Sequence, residues 1–340
     1  MEEKIEGQSF VMPRLGLGEQ LLSEYEIEIE GVAKGRGSLL VFSGGKTYML
    51  KMFQGSKDKA GELAVVLKQL ADWDETVEQI LPTKEGDFLV REEGGPAYIL
   101  KSFKNGRECD IKNPLEMLEG ARKLADLHMA FNEMVHPKTE LFQTPEHSLP
   151  QELYRHNREM RNLRNYIRKK KSKNSFEEAY QNAYGVFYSQ AEKIEREILQ
   201  ESISGEEKQW GFCHGDYHYH NLVDCDSRSR VLHFENMRWD SQVSDLAKYL
   251  RKLLEKNRWN PDLGLDVIST YERVLPLGDE KRRELYLRMA YPEKFWKIAN
   301  HYNNNKKAWA SKRDGEKLQQ VIAQERDRQT FLELLYNQNE

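Results

Sequence analysis

The segment His214-Gly-Asp-Tyr-His-Tyr-His-Asn221 contains the residue types that phosphoryl transfer to a hydroxyl group requires. The carboxylate of Asp216 can orient an attacking hydroxyl, and the amide oxygen of Asn221 can hold a magnesium ion. The segment lies between helical and strand-like patterns, so both side chains are expected on one loop. His214 is expected to brace that loop by hydrogen bonds to the backbone.

Two other interpretations of this segment stay open. The histidines at 214, 218 and 220 could bind a metal together with Asp216, as in a metal-dependent hydrolase. The sequence has no second His-rich cluster to accompany them, which argues against this interpretation. The segment could also be an ordinary polar loop.

The residues before the loop predict a small, strand-rich region, because short alternating or apolar runs are separated by glycine-bearing turns. The predicted elements are a strand at Glu26–Glu30, a turn at Gly31–Gly37, a hairpin of Leu39–Phe42 and Thr47–Phe53 about the turn Ser43–Gly45, a helix over 59–72, and strands at Phe88–Val90 and Ala97–Leu100.

After Asn113-Pro114 the apolar residues recur with helical spacing. Helices are predicted over 115–131, 150–172, 175–200 and from Asp245 onwards, with a loop and a short hairpin between 211 and 236. A strand-rich start followed by helices predicts an α+β protein with two lobes. The predicted N-lobe, residues 1–103, is an antiparallel sheet with one helix, and the predicted C-lobe, residues 104–340, is mostly helical.

Composition narrows the class of protein. The formal net charge of -4 argues against nucleic acid as a partner. The cysteines at 109, 213 and 225 form no CxxC pair, which indicates a reducing compartment. The N-terminal residues do not have the pattern of a signal peptide, and no apolar run approaches the ~18 residues of a membrane span. We therefore expect synthesis in the cytoplasm and no membrane partner.

The His-Gly-Asp-x-His-x-x-Asn pattern followed by a hairpin resembles the catalytic loop of aminoglycoside and choline phosphotransferases. More narrowly, the chain resembles the spore coat protein S family of endospore-forming bacteria. The segments that carry this resemblance are Gly106–Glu108, Lys123–His128, the 214–221 loop, Asp245–Arg251, Tyr291–Ile298, Tyr302-Asn303 and Lys307–Trp309. The resemblance implies a two-lobed, protein-kinase-like fold and ATP with magnesium or manganese as cofactor.

Each matched position acquires an expected role from the resemblance. Asp216 corresponds to the catalytic aspartate and Asn221 to a metal ligand. Lys51 corresponds to the strand lysine that contacts ATP phosphates, with Glu62 as its expected partner. The strand around Leu100 and Ser102 corresponds to the segment whose backbone meets adenine, with a plain buried strand as the alternative. Asp245 corresponds to the residue that anchors the catalytic loop, and the alternative is charge complementarity at a helix N-terminus.

One position departs from the phosphotransferase pattern. The second metal ligand is an aspartate in a segment of the type Ile-Asp-Phe-Asp, and this chain has Leu232-His-Phe-Glu235. A neutral imidazole at His233 is a poor ligand for magnesium, which prefers oxygen, whereas manganese or zinc would accept it better. Alternation along a strand would place Glu235 on the same face, where it could partly substitute.

Two functions follow as expectations. The first is a weak or degenerate ATP-dependent phosphotransferase with a hydroxyl acceptor, either a small molecule or a coat component. The second is a catalytically inactive structural or interaction protein of the spore coat, with other coat proteins as partners. The basic stretch over 155–171 is predicted to be a solvated helix face or, alternatively, a docking surface for an acidic partner.

Overall fold

The structure is a computed structural model, and it describes residues 20–135, 138–143, 149–203, 210–225, 228–304 and 312–337. The chain forms two compact units. The first consists of Met1–Gln143 with Trp210–Asp245, and the second of Thr144–Gln209 with Leu246–Glu340. The predicted boundary after residue 103 falls inside the first unit, at the end of a strand, and stays a prediction.

An antiparallel sheet of five strands, in the order β1-β2-β3-β5-β4, opens the first unit. Its strands are β1 (Gly31–Gly35), β2 (Ser38–Ser43), β3 (Lys46–Phe53), β4 (Val90–Arg91) and β5 (Ala97–Phe103). The apolar side chains of Val41, Leu50 and Leu100 pack with Leu22 and Tyr25 in one core cluster. The predicted hairpin of β2 and β3 is confirmed.

The predicted strand at Glu26–Glu30 and the predicted turn at Gly31–Gly37 are both wrong. Pairing with β2 begins at Gly31, opposite Phe42, and only the backbone N–H of Glu30 extends it by one hydrogen bond. β2 ends at the turn that follows, so residues 26–29 have no partner strand despite their alternating pattern.

Two helices of the first unit match the predicted helical patterns. Helix α1 (Lys57–Trp73) begins after Ser56, whose side chain accepts a hydrogen bond from the backbone N–H of Lys59. Helix α2 (Pro114–Glu133) begins after Asn113, with proline in the first turn. Both helices bury an apolar face, which the 3.6-residue periodicity in the sequence had indicated.

Short strands frame the loops between 211 and 240. β6 (Arg107–Glu108), β8 (Leu222–Cys225) and β9 (Arg228–Val231) form a three-stranded antiparallel sheet. β7 (Gly211–Cys213) pairs with β10 (Arg238–Asp240). The predicted hairpin after the catalytic loop is confirmed as β8–β9. The chain therefore leaves β7 into the 214–221 loop and leaves β9 into the segment that contains His233.

The second unit is helical. Its helices are α3 (Leu149–Lys169), α4 (Ser175–Ile203), the part of α5 (Val243–Lys256) from Leu246 onwards, α6 (Pro261–Glu272), α7 (Asp279–Ala290), α8 (Glu293–Asn304), α9 (Lys312–Ala323) and α10 (Glu325–Asn337). Stacked rings of Tyr180, Phe187 and Phe295 join α4 to α8. The α+β class with a strand-rich start and helices after it is confirmed. In the described part of the chain, none of the helices has both the length and the apolar character of a membrane span.

Candidate active site

The carboxylate of Asp245, at the start of α5, holds the beginning of the 214–221 loop. Its Oδ2 accepts a hydrogen bond from the backbone N–H of His214 at 2.6 Å, and its Oδ1 accepts one from that of Gly215 at 2.9 Å. Gly215 has φ +78°, and a Cβ there would lie 2.0 Å from the carbonyl oxygen of Asn236. The loop therefore requires glycine at this position.

His214 is fully buried, and each of its ring nitrogens faces a backbone group. Nε2 lies 3.0 Å from the carbonyl oxygen of Leu232, and Nδ1 accepts a hydrogen bond from the backbone N–H of Asp216 at 3.1 Å. Burial lowers the pKa of His214, so the ring is neutral and donates from Nε2. It links the catalytic loop to the segment that follows β9.

The structure brings Asp216 and Asn221 together. The Nδ2 of Asn221 donates to the backbone carbonyl oxygen of Asp216 at 2.8 Å. The same nitrogen lies 3.3 Å from the Oδ2 of the Asp216 side chain. The Nε2 of His218 lies 3.4 Å from the same carboxylate oxygen. The predicted catalytic aspartate and the predicted metal ligand are therefore held at one point of the loop.

The three histidines of the loop point in different directions. His218 accepts a hydrogen bond from the backbone N–H of His220, whose own ring pairs with Glu108. Within the described ranges, no group of three or more His, Cys, Asp or Glu residues is arranged to hold a metal ion. The alternative of a histidine-rich metal centre at 214, 218 and 220 thus gains no support from the geometry.

Asp245 also contacts His128, whose Nε2 lies 3.4 Å from Oδ2, and both side chains are buried. Burial alone would raise the pKa of the Asp245 carboxyl. The hydrogen bond of His128 and the charge of Arg238 instead lower it to about 2. Asp245 is therefore ionised at neutral pH and supports the loop as a negative charge.

A second group of charges surrounds His233. The ammonium of Lys51 on β3 lies 2.9 Å from the Nδ1 of His233 and 3.3 Å from Oε2 of Glu235. The ammonium of Lys101 on β5 donates to the other carboxylate oxygen of Glu235 and to Oε1 of Glu78, the latter at 2.8 Å. We call Lys51, Glu78, Lys101, His233 and Glu235 the charge cluster.

Glu78 has a further role in the charge cluster. Its Oε1 accepts hydrogen bonds from the backbone N–H groups of His233 and Phe234, both at 3.0 Å. His233 lies in the left-handed region with φ 74°, which is uncommon for a residue with a side chain. Glu78 therefore holds the unusual turn that directs the His233 ring towards Lys51.

The charges of the cluster balance internally. Burial lowers the pKa of His233, and the nearby ammonium of Lys101 lowers it further, so its ring is neutral. Burial would raise the pKa of Glu235, but Lys101 and Lys51 bring it well below its usual range. Two ammonium groups then face two carboxylates, and the lysine expected to meet ATP phosphates is already paired.

The two lysines differ in their surroundings. Burial would lower the pKa of Lys101, but Glu235 and Glu78 together raise it. Burial lowers the pKa of Lys51, and the attraction of Glu235 does not compensate, because the charge of Lys101 opposes it. Lys101 is thus the more firmly held cation, although the sequence analysis did not select it.

Three predicted binding residues have other contacts. Glu62 accepts a hydrogen bond from the backbone N–H of Lys138 at 2.9 Å, so the expected pair with Lys51 is not formed. The carbonyl oxygen of Leu100 accepts from the backbone N–H of Leu81, and the N–H of Ser102 donates to the carbonyl of Gln79, each at 2.8 Å. These backbone groups of β5 already bond the segment before β4, and so they are not open to adenine.

Sequence reasoning missed Glu78 and Lys101. A signal existed for Lys101, because it follows the apolar run Ala-Tyr-Ile-Leu in a predicted buried strand, and buried lysines are almost always paired. Its side chain is 1% exposed. Glu78 lies after α1 in a segment without a regular pattern, so no signal identified it.

The sheet, the loop and the anchoring aspartate define a class, the kinase-like fold of small-molecule phosphotransferases. The structure is similar to an aminoglycoside phosphotransferase from Alicyclobacillus acidocaldarius, with a TM-score of 0.80 and 19% identity over 98% of both chains. It is also similar to an amicoumacin kinase solved with AMP-PNP and Ca²⁺, with a TM-score of 0.64 and 11% identity over 93% of both chains. At such identities the likeness shows the fold alone.

Within that class the chain belongs to the family described as spore coat putative kinase YutH, whose model matches residues 18–335. It is also 26% identical over 127 residues to spore coat protein S of Bacillus subtilis strain 168. That match covers 37% of this chain and 36% of the relative, so it spans about a third of the relative's length. The chain is a kinase-like protein of a spore coat family.

Proposed function

We propose that this chain is a spore coat component in which the kinase-like fold serves binding or structure rather than efficient phosphoryl transfer. The observation that carries the proposal is the charge cluster. Lys51, the lysine expected to meet phosphates, faces Glu235 and the ring of His233 instead. The relative named spore coat protein S supports deposition in the coat after synthesis in the cytoplasm.

The charge cluster is a poor fit for an adenine nucleotide with magnesium. Magnesium prefers several oxygen ligands in octahedral geometry. His233 stands where a second carboxylate ligand for the metal is expected, and its Nδ1 lies 2.9 Å from the ammonium of Lys51. Both carboxylate oxygens of Glu235 face lysines. A metal–phosphate group would have to separate ion pairs whose side chains are at most 20% exposed. Separating buried pairs is costly, because each freed charge loses its partner.

A weak phosphotransferase is the second candidate, and one observation favours it. Asp216 and Asn221 are held together on a loop whose backbone is fixed by Asp245, as hydroxyl orientation would require. The solved kinase neighbours with bound AMP-PNP or AMP make ATP with magnesium or manganese the cofactor to test. Its acceptor would be a small molecule or a coat component that carries a hydroxyl group.

Thermal unfolding with ATP and either metal separates the two candidates. We expect no rise in Tm for the wild type. His233→Asp restores the missing carboxylate, and we expect a rise of about 5 °C for this variant at a ligand concentration ~100 times Kd. The matched control His220→Asp adds a carboxylate on the 214–221 loop, outside the charge cluster, and it should behave as the wild type does.

A rise in the wild type of the same size as in His233→Asp, together with ATP turnover that Asp216→Ala abolishes, would establish the phosphotransferase instead. The biological arm uses the same Asp216→Ala change in sporulating cells. Normal coat assembly at unchanged protein level supports a non-catalytic role, and a coat defect contradicts it. A fluorescent fusion that stays in the cytoplasm would contradict deposition in the coat.

A further inference from the structure

Helix α3 presents a basic face. Its apolar residues Leu153, Met160, Leu163 and Ile167 are buried, so the opposite side is exposed. We call the exposed side chains of Arg155, Arg158, Arg161, Arg168 and Lys169 the basic face. Tyr154, beside them on the helix, is 54% exposed. This pattern is that of an amphipathic helix whose outer side is positive.

No described acidic side chain forms an ion pair with the basic face. The two glutamates of α3 have other contacts: Glu152 lies 3.6 Å from the ring of His156, and Glu159 accepts a hydrogen bond from the indole of Trp296 at 2.7 Å. Residues 149–171 contain eight Lys and Arg against two Glu, a net charge of +6. Since the net charge of the whole chain is -4, the residues outside 149–171 together have a net charge of -10. Charge is therefore segregated along this molecule.

The opposite charge is concentrated in the first unit, in the segment before β1. Glu24, Glu26, Glu28 and Glu30 are all exposed, and residues 24–30 contain no basic residue. We call these four glutamates the acidic row. Ile27 packs against the core cluster of the sheet, while Ile29 is 40% exposed. The segment is thus fixed on one side and open on the other.

The two surfaces are opposite in charge. The basic face carries five exposed cations along about 20 Å of helix at 1.5 Å per residue, and the acidic row carries four exposed glutamates within seven residues. We propose that the basic face of one copy of this chain binds the acidic row of a second copy. Because the two surfaces are different, the contact is head-to-tail and can repeat into an open chain of copies.

A second copy is favoured over a nucleic acid or an anionic membrane, because the net charge of -10 outside 149–171 opposes a strongly negative surface. A second copy carries the matching row of glutamates itself. Exposed ion pairs are individually weak, so several must form together, and salt will screen them. The proposal does not depend on whether the chain binds ATP.

Sedimentation velocity of the full chain tests this proposal. We expect the weight-average mass to rise with concentration in ~0.01 M salt and to fall to that of a monomer in ~1 M salt, where the Debye length drops from about 30 Å to 3 Å. The triple variant Arg155→Glu, Arg158→Glu, Arg161→Glu should stay monomeric in low salt. So should the triple variant Glu24→Lys, Glu26→Lys, Glu28→Lys.

Mixing the two charge-reversed variants gives the decisive result. Each variant alone has two surfaces of the same charge and cannot bind a second copy of itself. In an equimolar mixture the reversed basic face of one variant meets the reversed acidic row of the other, and their unchanged surfaces also match. The mixture should therefore assemble as the wild type does. The control variant Lys193→Glu, Arg196→Glu, Lys312→Glu reverses three exposed cations outside the basic face. Its net charge changes as much as that of the basic-face variant, and it should still assemble. A monomeric wild type in low salt, or a mixture that does not assemble, would overturn the proposal. A basic-face variant that loses only binding to heparin or anionic vesicles would assign the face to a polyanion instead.

Discussion

The 214–221 loop and the segment from Leu232 to Asn236 are supported in the same way, yet they differ in the chemistry they present. Each has a buried carboxylate that accepts hydrogen bonds from two consecutive backbone N–H groups: Asp245 for the loop, and Glu78 for His233 and Phe234. In the loop, the side chain of Asp216 is 32% exposed, while that of Asn221 is buried and hydrogen-bonds to the Asp216 backbone. In the second segment, the side chains turn towards lysines.

This comparison shows that backbone support and ligand chemistry can be separated. The backbone of the second segment is supported as that of the loop is, while the side chains of His233 and Glu235 belong to the charge cluster. Asp245 accepts hydrogen bonds from backbone N–H groups and lies beside His128, and the charge of Arg238 acts on it. Glu78 contacts Lys101 directly, which brings Glu235 and Lys51 into the same network. The direct ion pair of Glu78 with a buried lysine therefore distinguishes the two regions.

Gly215→Ala should have the largest effect, because Gly215 is where the two regions meet. A Cβ would lie 2.0 Å from the carbonyl oxygen of Asn236, in a backbone conformation with φ +78°. We expect the free energy of unfolding to fall by about 5 kcal/mol, or folding to fail. Gly45→Ala is the control: φ is +70° there, but nothing lies within 4 Å. It should cost about 1 kcal/mol in urea denaturation, and equal costs would show that the contact is unimportant.

Glu235→Gln should come next, because it leaves Lys51 and Lys101 with one carboxylate between them. We expect a loss of about 3–4 kcal/mol in urea denaturation, since an uncompensated buried charge remains. The double variant Lys101→Met, Glu235→Leu removes both charges of one pair and should cost less than the sum of the single changes. Additive losses would contradict a coupled cluster and would make the two regions alike.

The pH dependence of stability should distinguish the anchor of the loop. The pKa of Asp245 is lowered to about 2 in the folded protein, against about 3.9 in the unfolded chain. Its stabilisation is therefore complete above pH 4 and is lost as the pH falls towards 2. The pH-dependent part is about 2–3 kcal/mol. In Asp245→Asn, the free energy of unfolding should fall between pH 4 and 2 by about 2–3 kcal/mol less than it does in the wild type. An unchanged dependence on pH would contradict the lowered pKa of Asp245.

How much could be predicted from the sequence differs between the two regions for a physical reason. Asp216 and Asn221 follow one another on a single loop, so their proximity was implied by the chain itself. The charge cluster joins residues from four separate segments, and only packing brings Glu78, Lys101 and Glu235 together. The prediction that Lys51 pairs with Glu62 rested on the position of Glu62 in a predicted helix, and Lys51 contacts Glu235 instead.

The fold shows the same distinction. Helices α1 and α2 were predicted because their apolar periodicity and their caps are local. The β2–β3 hairpin was predicted because its turn lies between its strands. The alternation of Glu26–Glu30 is equally regular, but a strand requires a partner, and β2 ends at Ser43, one residue beyond the partner of Gly31. The acidic row is what that alternation produces instead.

Asp216→Asn should have the smallest effect. Its carboxylate is 32% exposed, and an asparagine keeps one oxygen for Asn221. We expect a change in the free energy of unfolding within about 0.5 kcal/mol. Glu235 lies in buried ion pairs with Lys51 and Lys101, so Glu235→Gln should cost far more stability than Asp216→Asn. A loss above ~1 kcal/mol for Asp216→Asn in urea denaturation would mean that the loop carboxylate, too, has become structural, and would remove the difference between the two regions.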